Sequence, residues 1–171
     1  QSSDTFSVLN SAVRSQMVSD VPLGVFLSGG VDSSLITALA QENSKKKINS
    51  FTIGFQESNF DEAPYARKIS KILQTNHNEV YFNFSDLKKL INNLPTFYDE
   101  PFADSSQLPT MLLCKITKKK VTVALSGDGG DELFGGYYRY FLAEKYQKYI
   151  FNQPKILKFL LKKVINTLPV N

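Results

Sequence analysis

Apolar and polar positions follow two periods along the chain, and these predict strands and helices in alternation. Apolar residues at helical spacing predict helices over residues 6–17, 32–42, 61–73, 85–93 and 105–119. Short apolar runs predict strands over residues 21–27, 48–55, 79–84 and 121–125. Ser85 is the predicted N-cap of the fourth helix. Elements in this order predict a doubly wound α/β fold, a parallel sheet with helices on both faces.

The pattern predicts one α/β domain over residues 1–150, followed over residues 151–171 by an amphipathic helix. The net charge of +4 is concentrated towards the C-terminus. Residues 139–171 hold 7 basic and 1 acidic residues, whereas residues 1–138 hold 13 and 15. Most of the chain is therefore close to neutral, and we expect no nucleic-acid partner.

Composition narrows the class of protein further. The 171 residues are 42% hydrophobic and 21% charged, which excludes disordered, collagen-like and low-complexity chains. Apolar runs fall short of the about 18 residues of a membrane span, and the polar start does not resemble a signal peptide. The single cysteine, Cys114, excludes an internal disulfide and is predicted to be buried on a helix face. We therefore expect no membrane partner and a cytoplasmic location.

The first candidate site is a glycine-rich loop directly after the first predicted strand. It reads Ser28-Gly29-Gly30-Val31-Asp32-Ser33, and a predicted helix begins at about Asp32. Glycines let the backbone approach a ligand closely, and the N–H groups of a helix N-terminus attract anions. The loop is therefore suited to phosphate or pyrophosphate. Asp32 fits such a site when a divalent cation lies between its carboxylate and the phosphate.

The second candidate site follows the last predicted strand, over residues 126–137. Its sequence, SGDGGDELFGGY, holds five glycines and three carboxylates. Neighbouring carboxylates repel one another unless a cation compensates them, and beside a nucleotide Mg²⁺ is the simplest one. Ligands of open parallel sheets bind at the carboxyl ends of the strands, where both loops are expected.

These motifs resemble the asparagine synthetase family, glutamine-hydrolysing type, within the ATP pyrophosphatase (PP-loop) superfamily. SGGVDSS resembles the superfamily's pyrophosphate loop, and SGDGGDELFGGY resembles the family's second motif. Other matching segments, in the family's order, are residues 19–25, 50–55, 61–62, 77–79 and 99–106. The resemblance runs from about Phe6 to Tyr140 and implies an adenine nucleotide alpha hydrolase-like fold. It also implies that the domain is incomplete at its C-terminal side, so that the last helix packs on the domain or on missing sequence.

The resemblance implies a role for individual residues of this sequence. The residues implied to bind ATP are Leu27, Ser28, Gly29, Gly30, Asp32, Ser33, Ile53, Ser126 and Gly127. Within this set, Ile53 would contact the adenine. Asp32 and Asp131 would hold Mg²⁺, and Asp128, where many members carry Glu, would be catalytic in forming an acyl-adenylate.

The implied function is that of an ATP-dependent amide ligase. A carboxylate, first of all aspartate, would be adenylated with release of pyrophosphate, and ammonia would then attack the acyl carbon. In the family a glutaminase domain of the same chain supplies ammonia from glutamine through an N-terminal cysteine, whereas residue 1 here is Gln. The implied partners are thus small molecules and that domain, with a homodimer as an open alternative.

Three alternatives stay open at this point. The acceptor could be a sugar or uronic acid carboxylate in polysaccharide synthesis, because the nucleotide loops do not contact the acceptor. A different ATP pyrophosphatase, acting in tRNA thiolation or NAD synthesis, is disfavoured by the second loop and by the lack of a CxxC pair. The third alternative is a truncated nucleotide-binding module without turnover.

Overall fold

The computed structural model describes residues 2–56, 61–100, 103–154 and 156–159. The chain forms two compact units, Gln1–Asp128 and Gly129–Asn171. The first unit holds a four-stranded sheet, and the second is helical over its described residues.

All strand pairs of the sheet are parallel, and the strand order is β3-β2-β1-β4. The strands are β1 (Leu23–Phe26), β2 (Asn49–Phe55), β3 (Asn76–Phe82) and β4 (Val123–Leu125). The chain reverses its direction of winding between β3 and β4, because β4 pairs with β1 on the side away from β2. The carboxyl ends of β1 and β4 are therefore neighbours at the point where ligands of such sheets bind.

One helix of the first unit precedes the first strand, and the other helices of this unit follow β1, β2 and β3 along the chain. In chain order the helices are α1 (Ser2–Gln16), α2 (Val31–Glu42), α3 (Ala63–Leu73), α4 (Phe84–Leu90), α5 (Leu94–Phe97) and α6 (Gln107–Thr117), with a 3₁₀ turn at Ile91–Asn93. The second unit contains α7 (Gly130–Phe134) and α8 (Tyr138–Phe151). In the described parts of the chain, no helix is long and apolar enough to cross a membrane.

Helices cover both faces of the sheet, which confirms the predicted doubly wound architecture. One core cluster joins α1 and α2 to β1 and β4, through Val13, Leu39, Val25 and Leu125. A second cluster packs α4 and α6 around Met111 and Leu112, with Phe55 and Phe82 of the sheet against it. Successive residues of a strand point to opposite faces. Gly54 and Tyr81, which precede Phe55 and Phe82, therefore lie on the face opposite the second cluster, towards α3.

Two local predictions are wrong. Helix α4 is capped by Asn83 and not by Ser85. The Asn83 side chain accepts a hydrogen bond from the Asp86 N–H at 3.0 Å, and the Asp86 carboxylate accepts one from the Asn83 N–H. This reciprocal pair satisfies two helix donors, whereas the Ser85 hydroxyl only donates to the Asn83 side chain. Cys114 is exposed, because α6 turns Met111 and Leu112 to the core.

Element boundaries differ from the prediction at two further places. Strand β3 begins at Asn76, three residues before the predicted Glu79. Helix α8 was not predicted, since its aromatic, apolar and charged residues are mixed around the helix without an apolar face. Of the amphipathic helix predicted over residues 151–171, residues 156–159 are helical, and residues 160–171 lie outside the described part of the chain.

Candidate functional site

The two glycine-rich loops meet at the carboxyl edge of the sheet. A Cβ atom on Gly127, in the loop after β4, would lie 2.8 Å from the Ser33 amide nitrogen and 2.9 Å from the Asp32 carbonyl carbon. Both atoms belong to the backbone at the start of α2, so the second loop rests directly on the N-terminal turn of that helix. The sequence placed both loops at this edge, and the structure brings them into contact.

The first loop requires glycine at one position for two reasons. Gly29 has φ +88°, a left-handed conformation that side chains rarely adopt. A Cβ there would also lie 2.7 Å from the Ala66 nitrogen and 2.7 Å from the Tyr65 Cβ, in the first turns of α3. Gly29 thus brings the loop into close contact with α3.

The N-terminus of α2 is open towards this loop. Gly30 is its N-cap in an extended conformation, and no side chain caps the helix. The first intrahelical bond runs from the Ser34 N–H to the Gly30 carbonyl at 3.1 Å, which leaves the N–H groups of residues 31–33 without helical acceptors. Such donors, aligned with the positive end of a helix dipole, form an anion site.

Two serine side chains fix the shape of the loop. The Ser28 and Ser33 hydroxyls lie 2.8 Å apart, within hydrogen-bond distance. The Ser28 N–H donates to the Ser33 hydroxyl at 3.2 Å, and the Gly30 N–H donates to the Ser28 hydroxyl at 3.2 Å. These hydrogen bonds therefore hold the loop in a closed turn around the start of α2.

The second part of the site lies where β1 leaves the sheet. Leu27 donates its N–H to the Phe51 carbonyl at 3.0 Å, and the β1–β2 register ends with Phe26 opposite Phe51. The N–H and C=O groups of Ile53, two residues beyond Phe51, point to the same side of β2 as those of Phe51. On that side β1 has already ended and pairs with no residue beyond Phe51. An open strand edge of this kind can bind a planar ring with donors and acceptors on its rim.

Sequence analysis missed one residue at this edge. The buried Thr52 hydroxyl donates a hydrogen bond to the Leu27 carbonyl, which holds the chain at the point where it turns into the first loop. A threonine in an apolar strand run carries no signal of such a contact, because β-branched residues are common in strands on packing grounds alone.

The predicted carboxylates fall in both units. Asp32 lies in the first turn of α2, and within the described residues neither a hydrogen bond nor an ion pair engages its carboxylate. Asp128 accepts a hydrogen bond from the Ser126 hydroxyl at 2.9 Å. A free carboxylate beside a helix N-terminus that attracts phosphate suits a hard divalent cation between the two. The residues of the first unit thus fit Mg²⁺ together with a phosphate.

Asp131 belongs to the second unit, in the first turn of α7. Its neighbour Glu132 is engaged there by Tyr137, whose hydroxyl donates to the carboxylate at 2.5 Å. This bond lowers the pKa of Glu132 and raises that of Tyr137 to about 12. The Arg139 guanidinium stacks 4.2 Å from the centre of the Tyr137 ring. The predicted role of Asp131 as a magnesium ligand stays a prediction from the sequence.

Comparison with solved structures confirms the fold. The NH3-dependent NAD synthetase of Campylobacter jejuni superposes with a TM-score of 0.55 at 18% identity, over 79% of this chain and 60% of its own. The NMN synthetase of Francisella tularensis superposes with a TM-score of 0.56 at 13% identity, over 81% and 59%. At this identity the likeness concerns the PP-loop fold alone.

Comparison of sequences identifies the family. A putative glutamine-hydrolysing asparagine synthetase 2 of Methanocaldococcus jannaschii is 46% identical over 131 residues, 76% of this chain. Asparagine synthetase 1 of Bacillus subtilis, also glutamine-hydrolysing, is 41% identical over 135 residues, 74% of this chain. The chain spans 25% and 20% of the lengths of these relatives. The asparagine synthase family model matches residues 5–168, nearly the whole chain, and the chain therefore belongs to the asparagine synthase family.

Proposed function

We propose that the protein is an ATP-dependent ligase of the asparagine synthetase type. It activates a carboxylate as an acyl-adenylate and releases pyrophosphate. The observation that supports this most directly is the contact of Gly127 with the open N-terminus of α2, because it joins both glycine-rich loops into one anion-binding surface. Membership of the asparagine synthase family supports the same chemistry.

The phosphates of ATP bind at the first loop in this proposal. The N–H groups at the start of α2 and the hydroxyls of Ser28 and Ser33 are the donors, and Gly29 and Gly30 allow the close approach. Donors fixed before the reaction stabilise the charge that develops on a departing pyrophosphate without reorganisation. The hydrogen bonds of Ser28 and Ser33 within the loop supply this fixed arrangement.

The adenosine part binds at the open edge of β2. The peptide groups of Ile53 recognise the adenine rim, and Thr52 holds Leu27 on the neighbouring side. Ser126 and Gly127 close the nucleotide site from the second loop. The distance between the two recognition points is fixed, since both belong to adjacent strands of one sheet.

Asp32 is the residue of the first unit that would hold Mg²⁺, with Asp131 as the second ligand that the family pattern predicts. When bound, Mg²⁺ neutralises charge on the pyrophosphate leaving group. Asp32 keeps its carboxylate free for this role, whereas Asp128 is tied to Ser126. Asp128, an exposed residue of the loop after β4, is the proposed catalytic residue in acyl-adenylate formation.

Aspartate is the proposed acceptor, and ammonia derived from glutamine is the proposed nucleophile. The names of the relatives support both, since these proteins are called glutamine-hydrolysing asparagine synthetases. A carboxylate is a poor electrophile, because oxide would have to leave it. Adenylation gives the same carbon AMP as a leaving group, so that ammonia can form the amide. A glutaminase domain as partner and a cytoplasmic location belong to the same proposal.

Titration calorimetry with ATP, with and without Mg²⁺, tests the nucleotide site. We expect Mg²⁺-dependent binding to the unmodified protein and at least about a tenfold loss in Asp32→Asn, as charge-assisted contacts are worth roughly 1.5–3 kcal/mol. The matched control is Asp4→Asn, because Asp4 also lies in the first turn of a helix, α1, and loses the same dipole interaction. Equal, magnesium-independent binding by all three proteins would contradict the proposal.

A further inference from the structure

Helix α3 forms one wall of the pyrophosphate loop. The backbone of its first turns, at Tyr65 and Ala66, lies so close to Gly29 that no side chain fits between them. Gly29 also carries the left-handed conformation on which the turn of the loop depends. Any shift of α3 along or about its axis therefore changes the position of the Gly29 peptide.

Apolar packing fixes the position of α3 only weakly. The helix fully buries three small residues, Ala63, Ala66 and Ser70. None of its large side chains is fully buried, and Ile69 and Leu73 are half-buried. Small side chains let the helix approach the sheet closely, but they remove little apolar area from water and interlock little with their neighbours. Other contacts must set the position of the helix along the sheet.

A clamp of polar side chains joins α3 to β3. Arg67 of α3 donates two parallel hydrogen bonds to Glu79, from Nη2 to Oε1 and from Nε to Oε2, the second at 3.0 Å. Arg67 Nη2 also donates to the Tyr81 hydroxyl at 3.2 Å. A bidentate guanidinium–carboxylate pair restricts direction as well as distance, which a single hydrogen bond does not.

The clamp continues to the end of β2. The Tyr81 hydroxyl donates to Asp61 Oδ2 at 3.3 Å, and its ring lies against Gly54, where a Cβ would come within 2.6 Å of a ring carbon. Asp61 Oδ1 accepts the N–H groups of Phe55, at 3.3 Å, and Ala63, at 3.2 Å. The Asp61 carboxylate thus links Ala63, the first residue of α3, to Phe55, the last residue of β2.

The charges of the clamp are constant near neutral pH. The hydrogen bonds from Arg67 lower the pKa of Glu79, so its carboxylate is ionised. His77 Nε2 lies 3.4 Å from Glu79 Oε2 without forming a hydrogen bond, and burial lowers the His77 pKa. The imidazole is therefore neutral and leaves the carboxylate to Arg67.

We infer that Arg67 is a positioning residue for pyrophosphate: through Glu79 it sets α3 against Gly29 and so fixes the loop that binds the leaving group. This inference rests on the proposed function. Loss of the Arg67–Glu79 pair loosens the phosphate-binding loop. It leaves the adenine edge at Ile53 unchanged, because β2 keeps its pairing with β3 over its whole length. The effect on stability is small, since 46% of the Arg67 side chain is exposed and exposed ion pairs contribute little.

The experiment compares binding of two ligands, magnesium pyrophosphate and AMP, by calorimetry. We expect Arg67→Met to bind pyrophosphate about tenfold more weakly and AMP within about twofold of the unmodified protein, as a loop displaced by a fraction of an ångström loses preorganised contacts. Arg67→Lys, which keeps the charge but not the bidentate pair, should lie in between. The control is Lys89→Met, which removes another exposed ion pair, with Asp86 at 3.4 Å.

Each other outcome counts against a specific statement. If the unmodified protein binds neither ligand, the proposed function is wrong. If it binds both and Arg67→Met retains full pyrophosphate affinity, this inference alone is overturned. A third outcome is that Arg67→Met loses affinity for both ligands and melts at a lower temperature, and that the exchanged pair Arg67→Glu/Glu79→Arg does not recover either property. This would show a general structural role for Arg67 and would also overturn the inference.

Discussion

Replacement of Gly127 by alanine tests the contact between the loop after β4 and the start of α2, on which the proposed nucleotide site depends. The added Cβ would lie 2.8 Å from the Ser33 nitrogen, whereas ordinary contacts of such an atom begin near 3.4 Å. To restore an ordinary contact, the loop after β4 and the start of α2 must therefore separate by about 0.6 Å, the difference between 3.4 and 2.8 Å. No side-chain rotation can relieve this clash, since both close neighbours are backbone atoms.

The expected effect on activity exceeds the effect on folding. Overpacking of this kind costs about 1–3 kcal/mol of stability, which a folded domain tolerates. A misplacement of about 1 Å at a reactive site costs roughly a hundredfold in rate, so the smaller displacement here should lower kcat/KM for ATP by about tenfold or more. The loss should appear mainly in nucleotide binding, because the two loops share the nucleotide.

The assay is ATP affinity by calorimetry together with a thermal melt followed by circular dichroism. Gly129→Ala serves as the control: Gly129 has φ +90°, and no atom of the described residues lies within 4 Å of a Cβ built there. That variant is strained by about 1 kcal/mol but creates no clash. Equal ATP affinities of the two variants, at similar melting temperatures, would refute the argument that close contact between the loops forms the site.

Two further predictions concern buried polar groups of the sheet. Thr52→Val removes the hydroxyl that donates to the Leu27 carbonyl and should destabilise the protein by about 1 kcal/mol, a fall of roughly 2–4 °C in melting temperature, whereas Thr52→Ser should recover most of it; equal melting of the two variants would contradict this. Burial lowers the pKa of His77 below its usual 6.5, so the folded state resists protonation and the protein should lose stability as the pH falls below about 6.5. His77→Gln should flatten this part of the curve of melting temperature against pH between about 6.5 and 5, and an unchanged slope would show that another group is responsible.

The sequence predicted the sheet and the edge at which the site lies because both depend on local signals. Apolar runs that end in glycine-rich segments mark strands and the turns after them, as at Gly29 and Gly127. The contact between these two loops could not be predicted from such local signals. It depends on the pairing of β1 with β4, which are separated by about a hundred residues and brought together by packing alone.

The errors have equally local causes. Asn83 and Ser85 are both good N-cap residues, and only the reciprocal bond with Asp86 decides between them. The start of β3 is polar from Asn76 to Asn78, so it lacks the apolar pattern of a strand and depends on its register with β2. The clamp between Arg67 and Glu79 joins a helix to a strand twelve residues away, and no short motif records such a pair.

The proposed function requires that ATP is cleaved between its α- and β-phosphates while a carboxylate is activated. The direct measurement is the product pattern by ³¹P nuclear magnetic resonance, with ATP, Mg²⁺, aspartate and ammonia present. We expect AMP and pyrophosphate in equal amounts, formed only when a carboxylate substrate is added. ADP and phosphate as products, or pyrophosphate formed at the same rate without any carboxylate, would contradict it.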